Sequence, residues 1–511
     1  MSTRLFSCFV EGLEASLIEV EVDILQGLPG LSIVGLGDAA VQEAKERIRS
    51  AIKNSGVTYP QQKKVINLAP AHLRKNGACF DVPMALGLLE ASGQIKIPKN
   101  VMVVGELALN GEIRPINGAL SVAIFAKNQQ MELFLPAANA EEAKLINYPK
   151  IFAAEKLSDL VEHFRGTKSL AQLPVSNSRR TSPDTAAEVP PPAPDIDMNT
   201  IQGQHAAKRA LEISAAGGHH LLFFGPPGTG KTLLAHALQG ILPPLTPDEL
   251  LQVLQIYSTA GLLKNPRSFP RPFRRVHQSC SLPALVGGGS HAQPGEISLA
   301  HQGVLFFDEI AEAPRHLLES LRQPLEEKLI TISRASRHVT YPANFTFVAA
   351  MNPCPCGYYG NHEKQCTCPN SAIVQYHKKL SGPLMDRFDL FLELNREPVR
   401  IQTSPEGQSS AEFLQQITKA RRTQCTRYQQ ENFTLNSLIP PALIPKYCQM
   451  DDETIQKATQ IANTTKLSMR GFHNILKVAR TVADLNAHET IESADVSEAF
   501  QYRVQPTSPL V

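Results

Sequence analysis

The sequence predicts a multidomain α/β protein. A mixed α/β unit is expected at residues 1–165, a parallel-sheet core at 198–395 and a helical unit at 396–511. Three observations carry this. A glycine-rich turn, GPPGTGKT from Gly225 to Thr232, joins an apolar run to a segment with apolar residues at helical spacing. Apolar runs and helical stretches alternate around that turn, the pattern of parallel strands covered on both faces. A stretch at 166–197, rich in Pro and Ser and without apolar periodicity, reads as an extended linker separating this region from the first.

The elements follow in chain order. LIEVEVDIL alternates as a strand should, AAVQEAKERIRSAIKNSG reads as a helix, and VMVVGEL is strand-like. Beyond the linker, His219-His220-Leu221-Leu222-Phe223-Phe224 reads as a buried strand, and Leu233, Leu234, Ala237, Leu238 and Ile241 mark the helix after the turn. A second strand, Val304 to Phe307, ends in Asp308-Glu309, and a third, Phe345 to Ala350, ends in Met351-Asn352. From 396 onward strand signals fade, and DDETIQKATQIANTTK and HNILKVARTVADLNAH read as packed helices with Ile475, Ala479 and Val482 on one stripe.

A strand, a glycine-rich loop and a helix start together form a phosphate cradle, because loop and first-turn N–H groups and the helix dipole favour an anion. Gly225, Pro226, Pro227, Gly228, Thr229, Gly230 and Leu233 would surround the nucleotide, with Lys231 on the β- and γ-phosphates and Thr232 on Mg²⁺. A nucleoside triphosphate with Mg²⁺ is therefore the expected ligand. Asp308, at the end of a neighbouring strand, is placed to support Mg²⁺. Glu309 is placed to polarise the attacking water, and Asn352 to hold that water or the γ-phosphate.

Composition narrows the partners. The formal charge is +2, so any nucleic-acid contact must come from a local patch. No apolar stretch approaches a membrane span, and the amino terminus lacks a signal-peptide pattern, so a cytoplasmic protein without membrane contact is expected. Of nine cysteines, Cys354, Cys356, Cys366 and Cys368 form two C-x-C pairs in a Gly-rich loop, a set suited to a closed structural zinc site, with His362 as a substitute ligand. Two segments are basic. ITISRASRHVTYP carries Arg334, Arg337 and His338 at a polar tip between β-prone pieces. RSFPRPFRRVH carries Arg271, Arg274 and Arg275 among Phe269 and Phe273. Both are candidates for sequence-independent phosphate contacts with DNA.

The order of phosphate loop, LFFDEI, VAAMNP and SGPLMDRFD resembles an AAA+ ATPase of the branch holding magnesium-chelatase motors and MCM helicases. With RPFRRVH, PGEISLAHQGVLFFDE, MNPCPCG and LSMRGFHNILKVARTVADL, the chain resembles the YifB/ComM family of bacterial Mg-chelatase-like proteins, over nearly its whole length. The resemblance implies ATP as the nucleotide and a homo-hexamer in which Asn352 is the first sensor, Arg387 a finger reaching the neighbour's ATP, and Arg470 the second sensor on a helical lid. An intrachain pair of Arg387 with Asp386 or Asp389 is the competing expectation. ITISRASRHVTYP resembles the pre-sensor hairpin of MCM helicases, with Arg334 at its basic position.

The amino-terminal segment resembles a Lon-protease-like domain. Cys79 falls at the nucleophile position and Leu120 at the position of the base, so no peptidase activity is implied. What the family implies is an ATP-dependent DNA translocase or helicase promoting branch migration while incoming DNA is integrated in natural transformation, with recombination proteins as further partners. The alternative is a chelatase-type motor remodelling a protein for metal insertion.

Overall fold

The structure is a computed structural model. It describes residues 2–35, 37, 39–73, 75, 77–175, 196–266, 269–289, 292–334, 337–360, 364–396, 407–465 and 467–503, and at 39, 40, 334 and 337 the backbone alone. No helix among the described residues is long and apolar enough to cross a membrane.

The first unit is a mixed sheet of seven strands. In chain order these are β1 (Thr3–Glu11), β2 (Glu14–Leu25), β3 (Gly30–Val34), β4 (Lys63–Ala69), β5 (Val101–Val103), β6 (Glu132–Pro136) and β7 (Ile151–Ala154). Across the sheet they run β3-β4-β2-β1-β5-β6-β7. The alternation read in β2 is realised, with Ile18, Val20 and Val22 buried against the helices. Helix α1 (Ala39–Asn54) buries Val41, Ala44, Ile48, Ala51 and Ile52, the stripe that a 3.6-residue period requires. Helices α2 (Asp81–Ala91) and α3 (Ala119–Asn128) are apolar on most sides and complete the core. VMVVGEL does not continue as one strand: β5 stops at Val103 and the chain turns at Gly105, where φ is +156° and a Cβ would lie 2.7 Å from Ile113.

The stretch expected to be linker begins later than the composition suggests. Leu170 N donates to His163 Nδ1 and Leu173 N to Ile151 O, so the chain stays on the first unit to residue 175. Residues 176–195 of that stretch lie outside the described residues.

The second unit holds five parallel strands in the order β9-β10-β13-β8-β14. They are β8 (Leu221–Phe224), β9 (Phe273–Val276), β10 (Val304–Phe307), β13 (Thr346–Met351) and β14 (Leu390–Glu393); a separate hairpin, β11 (Leu329–Arg334) with β12 (Arg337–Pro342), lies between β10 and β13 in sequence. Apolar cores cover both faces of the sheet. One is built with α4 (His205–Gly217), α5 (Lys231–Ile241), α8 (Ser410–Arg427) and α10 (Met469–Leu485), and the other with the hairpin and α7 (Arg322–Glu327). Together with α9 (Asp452–Thr464), α8 and α10 make the helical unit expected at the carboxyl end.

The two units dock through α6 (Pro247–Thr259), whose Leu254 is buried in the first unit's core. Ser258 Oγ donates to Glu142 at 2.7 Å, Gly118 N donates to Ser258 O, and Thr259 Oγ1 donates to Gly12 O at 3.1 Å. Leu120, at the position where the Lon-type base would stand, is fully buried in this region, its N–H directed at Ser258 Oγ. The β1–β2 turn reaches the middle of the hairpin, where a Cβ on Gly12 would lie 2.5 Å from Val339.

Candidate functional site

The phosphate loop leaves the carboxyl edge of the sheet directly after β8 and enters α5 at Lys231. Gly225 takes φ of +155° beneath Leu394, whose carbonyl oxygen would be 2.2 Å from any Cβ there, so only glycine lets the chain pass. Lys231 Nζ donates to Gly225 O at 2.7 Å, Pro226 O at 2.9 Å and Asn352 Oδ1 at 3.2 Å. The lysine thus bridges the loop to the end of β13. Burial lowers its pKa to about 8, against the attraction of Asp308 and Glu309. A polyanion bound there would favour the charged form.

Beside it, Thr232 Oγ1 donates to Asp308 Oδ2 at 3.2 Å. The hydroxyl and carboxylate form the oxygen set that Mg²⁺ takes beside a triphosphate. Glu309 follows with φ of +50°, a left-handed conformation that costs a non-glycine residue about 1–2 kcal/mol. Its carboxylate accepts from Gln278 Nε2 at 3.2 Å.

Arg271, Arg274 and Arg275, the DNA contacts expected in the basic segment, each pair with a carboxylate of this chain. Arg271 is almost wholly buried, donating to Gln302 O, Pro244 O and Glu249, so desolvation and pairing remove it from any external phosphate. Arg274 grips Glu296 with two hydrogen bonds at 2.6 and 2.7 Å. Arg275 Nη2 donates to Asp308 Oδ2 at 2.7 Å and so sits beside the phosphate loop. Gln278 gives no sequence signal, because a lone amide after a short strand has none.

Arg387 and Arg470 lie elsewhere. Strands β8 and β14 are parallel, with Leu221 facing Leu390 and Phe224 facing Glu393. Arg387 precedes β14 and the phosphate loop follows β8, so the two sit at opposite edges of one sheet, separated by at least a strand length, roughly 10 Å. Asp389 N donates to His220 O at this far edge, and Asp389 Oδ2 is 3.2 Å from His219 Nδ1, whose Nε2 meets Thr481 Oγ1 of α10 at 2.8 Å. Arg470 is exposed in the first turn of α10, and one turn on Asn474 Nδ2 reaches Asp386 O. Arg387 pairs with Glu326, at the end of α7, rather than with the two aspartates beside it in sequence. Neither arginine is placed toward its own phosphate loop.

The four clustered cysteines come together, all Sγ atoms lying within 4.8 Å of one another. Sulfurs bound at about 2.3 Å to one tetrahedral zinc lie about 3.8 Å apart, and the 3.3, 3.5 and 3.6 Å separations among Cys354, Cys356 and Cys366 are close to that. Backbone N–H groups of Tyr359, Cys356 and Cys368 donate to Cys354, Cys368 and Cys366 respectively, as they do to thiolates. The loop touches the Gly225–Thr232 turn: a Cβ on Gly357 would lie 2.7 Å from Pro227 Cδ. His362 lies outside the described residues. So do the residues of the hairpin turn between Arg334 and Arg337, which face each other as the last backbone pair.

A phosphate loop in a five-stranded parallel sheet, Asp308-Glu309 at the end of β10, one strand removed from β8 with β13 between them, and a helical carboxyl-terminal unit define an AAA+ protein of the magnesium-chelatase branch. Residues 197–401 match the family model described as magnesium chelatase, subunit ChlI. Residues 20–139 match subunit ChlI of Mg-chelatase, and 407–503 its C-terminal part. The chain is 40% identical over 501 residues to competence protein ComM of Haemophilus influenzae, covering 96% of this chain and 95% of that one. It is 41% identical over 500 residues to the uncharacterized protein YifB of Escherichia coli, again covering 96% and 95%. A more distant likeness, 23% over 343 residues, covers 60% of this chain and 35% of the DNA replication licensing factor Mcm2 of Drosophila melanogaster. The chain belongs to the YifB/ComM family of Mg-chelatase-like AAA+ proteins.

Proposed function

We propose that this protein is an ATP-driven ring motor, hexameric, that moves DNA through its centre and promotes branch migration as incoming DNA is integrated. One observation carries the motor: Lys231, Asp308 and Glu309 stand at one edge of the sheet, Arg387 and Arg470 at the other. A single chain cannot bring the two sets together. A second copy can, each chain lending its arginines to the phosphates held by the next. When bound, ATP with Mg²⁺ supplies the transferable phosphoryl group. Lys231 and the loop N–H groups hold its charge, Thr232 and Asp308 hold the cation, and Glu309 orients the attacking water. Arg387 of the adjoining copy meets charge as it develops, a contribution worth about 10³–10⁵ in rate where it has been isolated.

Support for DNA as substrate comes from the hairpin, whose backbone brings positions 334 and 337 together at its end, and from likeness to a competence protein and a DNA replication factor. Zinc is the proposed occupant of Cys354, Cys356, Cys366 and Cys368, where it would hold the loop that abuts Pro227. The rival reading, a motor that remodels a protein partner for metal insertion, draws support from the three Mg-chelatase matches along the chain. ATP hydrolysis measured with and without DNA over a salt series separates them. Stimulation by DNA that decays with salt, and that Arg334→Glu abolishes, is the expected outcome. Stimulation by a protein partner alone, with none from DNA at any salt, would select the rival.

A further inference from the structure

The root of the hairpin and the loop bearing Arg387 are one joint. Helix α7 ends at Glu327, its cap Lys328 takes φ of +57°, and β11 begins at the next residue. The returning arm is tied to the same point, Ala343 N donating to Lys328 O at 2.7 Å. Two charged residues flank this root, and both face the Arg387 loop. Glu326 accepts from Arg387 Nη2. Lys328, half-buried, lies close enough to Asp389 to feel its charge. Around them Leu325, Ile330, Leu384 and Phe388 belong to one buried core, so a displacement of the hairpin is transmitted to the Arg387 loop instead of being absorbed.

The pair itself is lopsided. Arg387's side chain is 11% exposed and that of Glu326 50%. Arg387 Nε has no acceptor among the described residues. Among the described residues the guanidinium is thus held by one half-exposed carboxylate, with Nε left over.

We propose that Glu326 is a latch on Arg387. Its carboxylate competes with the neighbouring subunit's ATP for the same guanidinium, and a shift of the hairpin when DNA enters moves the end of α7 and frees the arginine. Glu326 is a positioning residue, acting only through Arg387. The proposal rests on the reading of Arg387 as a finger for the adjoining site, and it names how DNA would regulate that site.

The test uses the full-length protein and poly-dT as the DNA. ATPase kcat and KM are measured for wild type, Glu326→Gln, Arg387→Ala and the double variant, with and without DNA. Freeing Arg387 should raise the DNA-free kcat of Glu326→Gln about three- to fivefold with KM for ATP unchanged, and DNA should add little more. The double variant should match Arg387→Ala, because the latch has nothing else to act on. Glu326→Ala at the same half-exposed position must show the same gain, which covers misfolding of one variant. A DNA-free rate at or below wild type in both Glu326 variants overturns the latch, and so does a gain that survives in the double variant. If Arg387→Ala turns over like wild type, the finger reading fails and the latch with it. If wild type ignores DNA while Glu326→Gln is still faster, the DNA reading fails and the latch stands.

Discussion

Gly357→Ala isolates the contact between the cysteine loop and the phosphate loop. Gly357 has φ of +85°, and a Cβ there would lie 2.7 Å from Pro227 Cδ and 3.1 Å from Cγ. Against an ordinary carbon–carbon contact of about 3.5 Å the nearer overlap is roughly 0.8 Å, too large for a proline ring to yield without moving the loop. Two costs follow. The left-handed backbone costs alanine about 1–2 kcal/mol of folding stability. The overlap, relieved by displacing Pro227, costs about 1–2 kcal/mol more, within the usual range for overpacking. Only the second falls on the nucleotide, which needs the loop where it is, so the nucleotide Kd should rise roughly 5- to 30-fold. Gly360→Ala is the matched control. Gly360 also has positive φ, +77°, but nothing lies within 4 Å of its Cβ position. It should lose similar melting temperature and keep its affinity within about twofold. Titration calorimetry with a non-hydrolysable ATP analogue reads both. Equal affinities for the two variants would refute the brace.

Two further predictions concern protons and metal. Lys231 is held at about 8 in the free protein and is recharged by a bound triphosphate, so nucleotide binding should take up close to one proton at pH about 9 and almost none from this group at about pH 6.5. The sign for stability follows from the same shift. Between about 8 and the ordinary lysine value the unfolded chain holds the proton and the folded one does not, so this group's contribution to free-protein stability rises with pH across that window. Calorimetry in buffers of different ionisation heat measures the uptake; no buffer dependence near pH 9 contradicts it. Stripping the four-cysteine site with a strong zinc chelator should release about one metal per chain and weaken nucleotide binding in the direction of Gly357→Ala. Unchanged affinity after release would uncouple that site from the phosphate loop.

Much of this was legible in the chain. The phosphate loop, Asp308-Glu309 and Asn352 are local signals, because strand end, turn and helix start are contiguous, and the structure places Lys231, Asp308 and Asn352 together at one sheet edge. The cysteine cluster was legible for the same reason. Arg271, Arg274 and Arg275 show the limit: a run of arginines reports charge, whereas their acceptors, Glu249, Glu296 and Asp308, come from other elements. Glu326 lies in an unremarkable run of charges and meets Arg387 only through tertiary packing. The extent of the linker misled because Leu170 and Leu173 carry too short an apolar pattern to announce their packing. Docking of the first unit on α6 left no local trace either, since Ser258 and Gly118 form an interface only once both units are folded.

The claim that each site is completed by a second chain is tested most directly by mixing two inactive variants. Glu309→Gln keeps its arginine but loses its water-orienting carboxylate, and Arg387→Ala does the reverse. Each alone should be nearly inert. In a randomly assembled equimolar mixture about one quarter of the interfaces join an intact Glu309 to an intact Arg387, so ATPase should recover to about a quarter of wild type. A mixture no faster than the mean of its two parents would contradict the account.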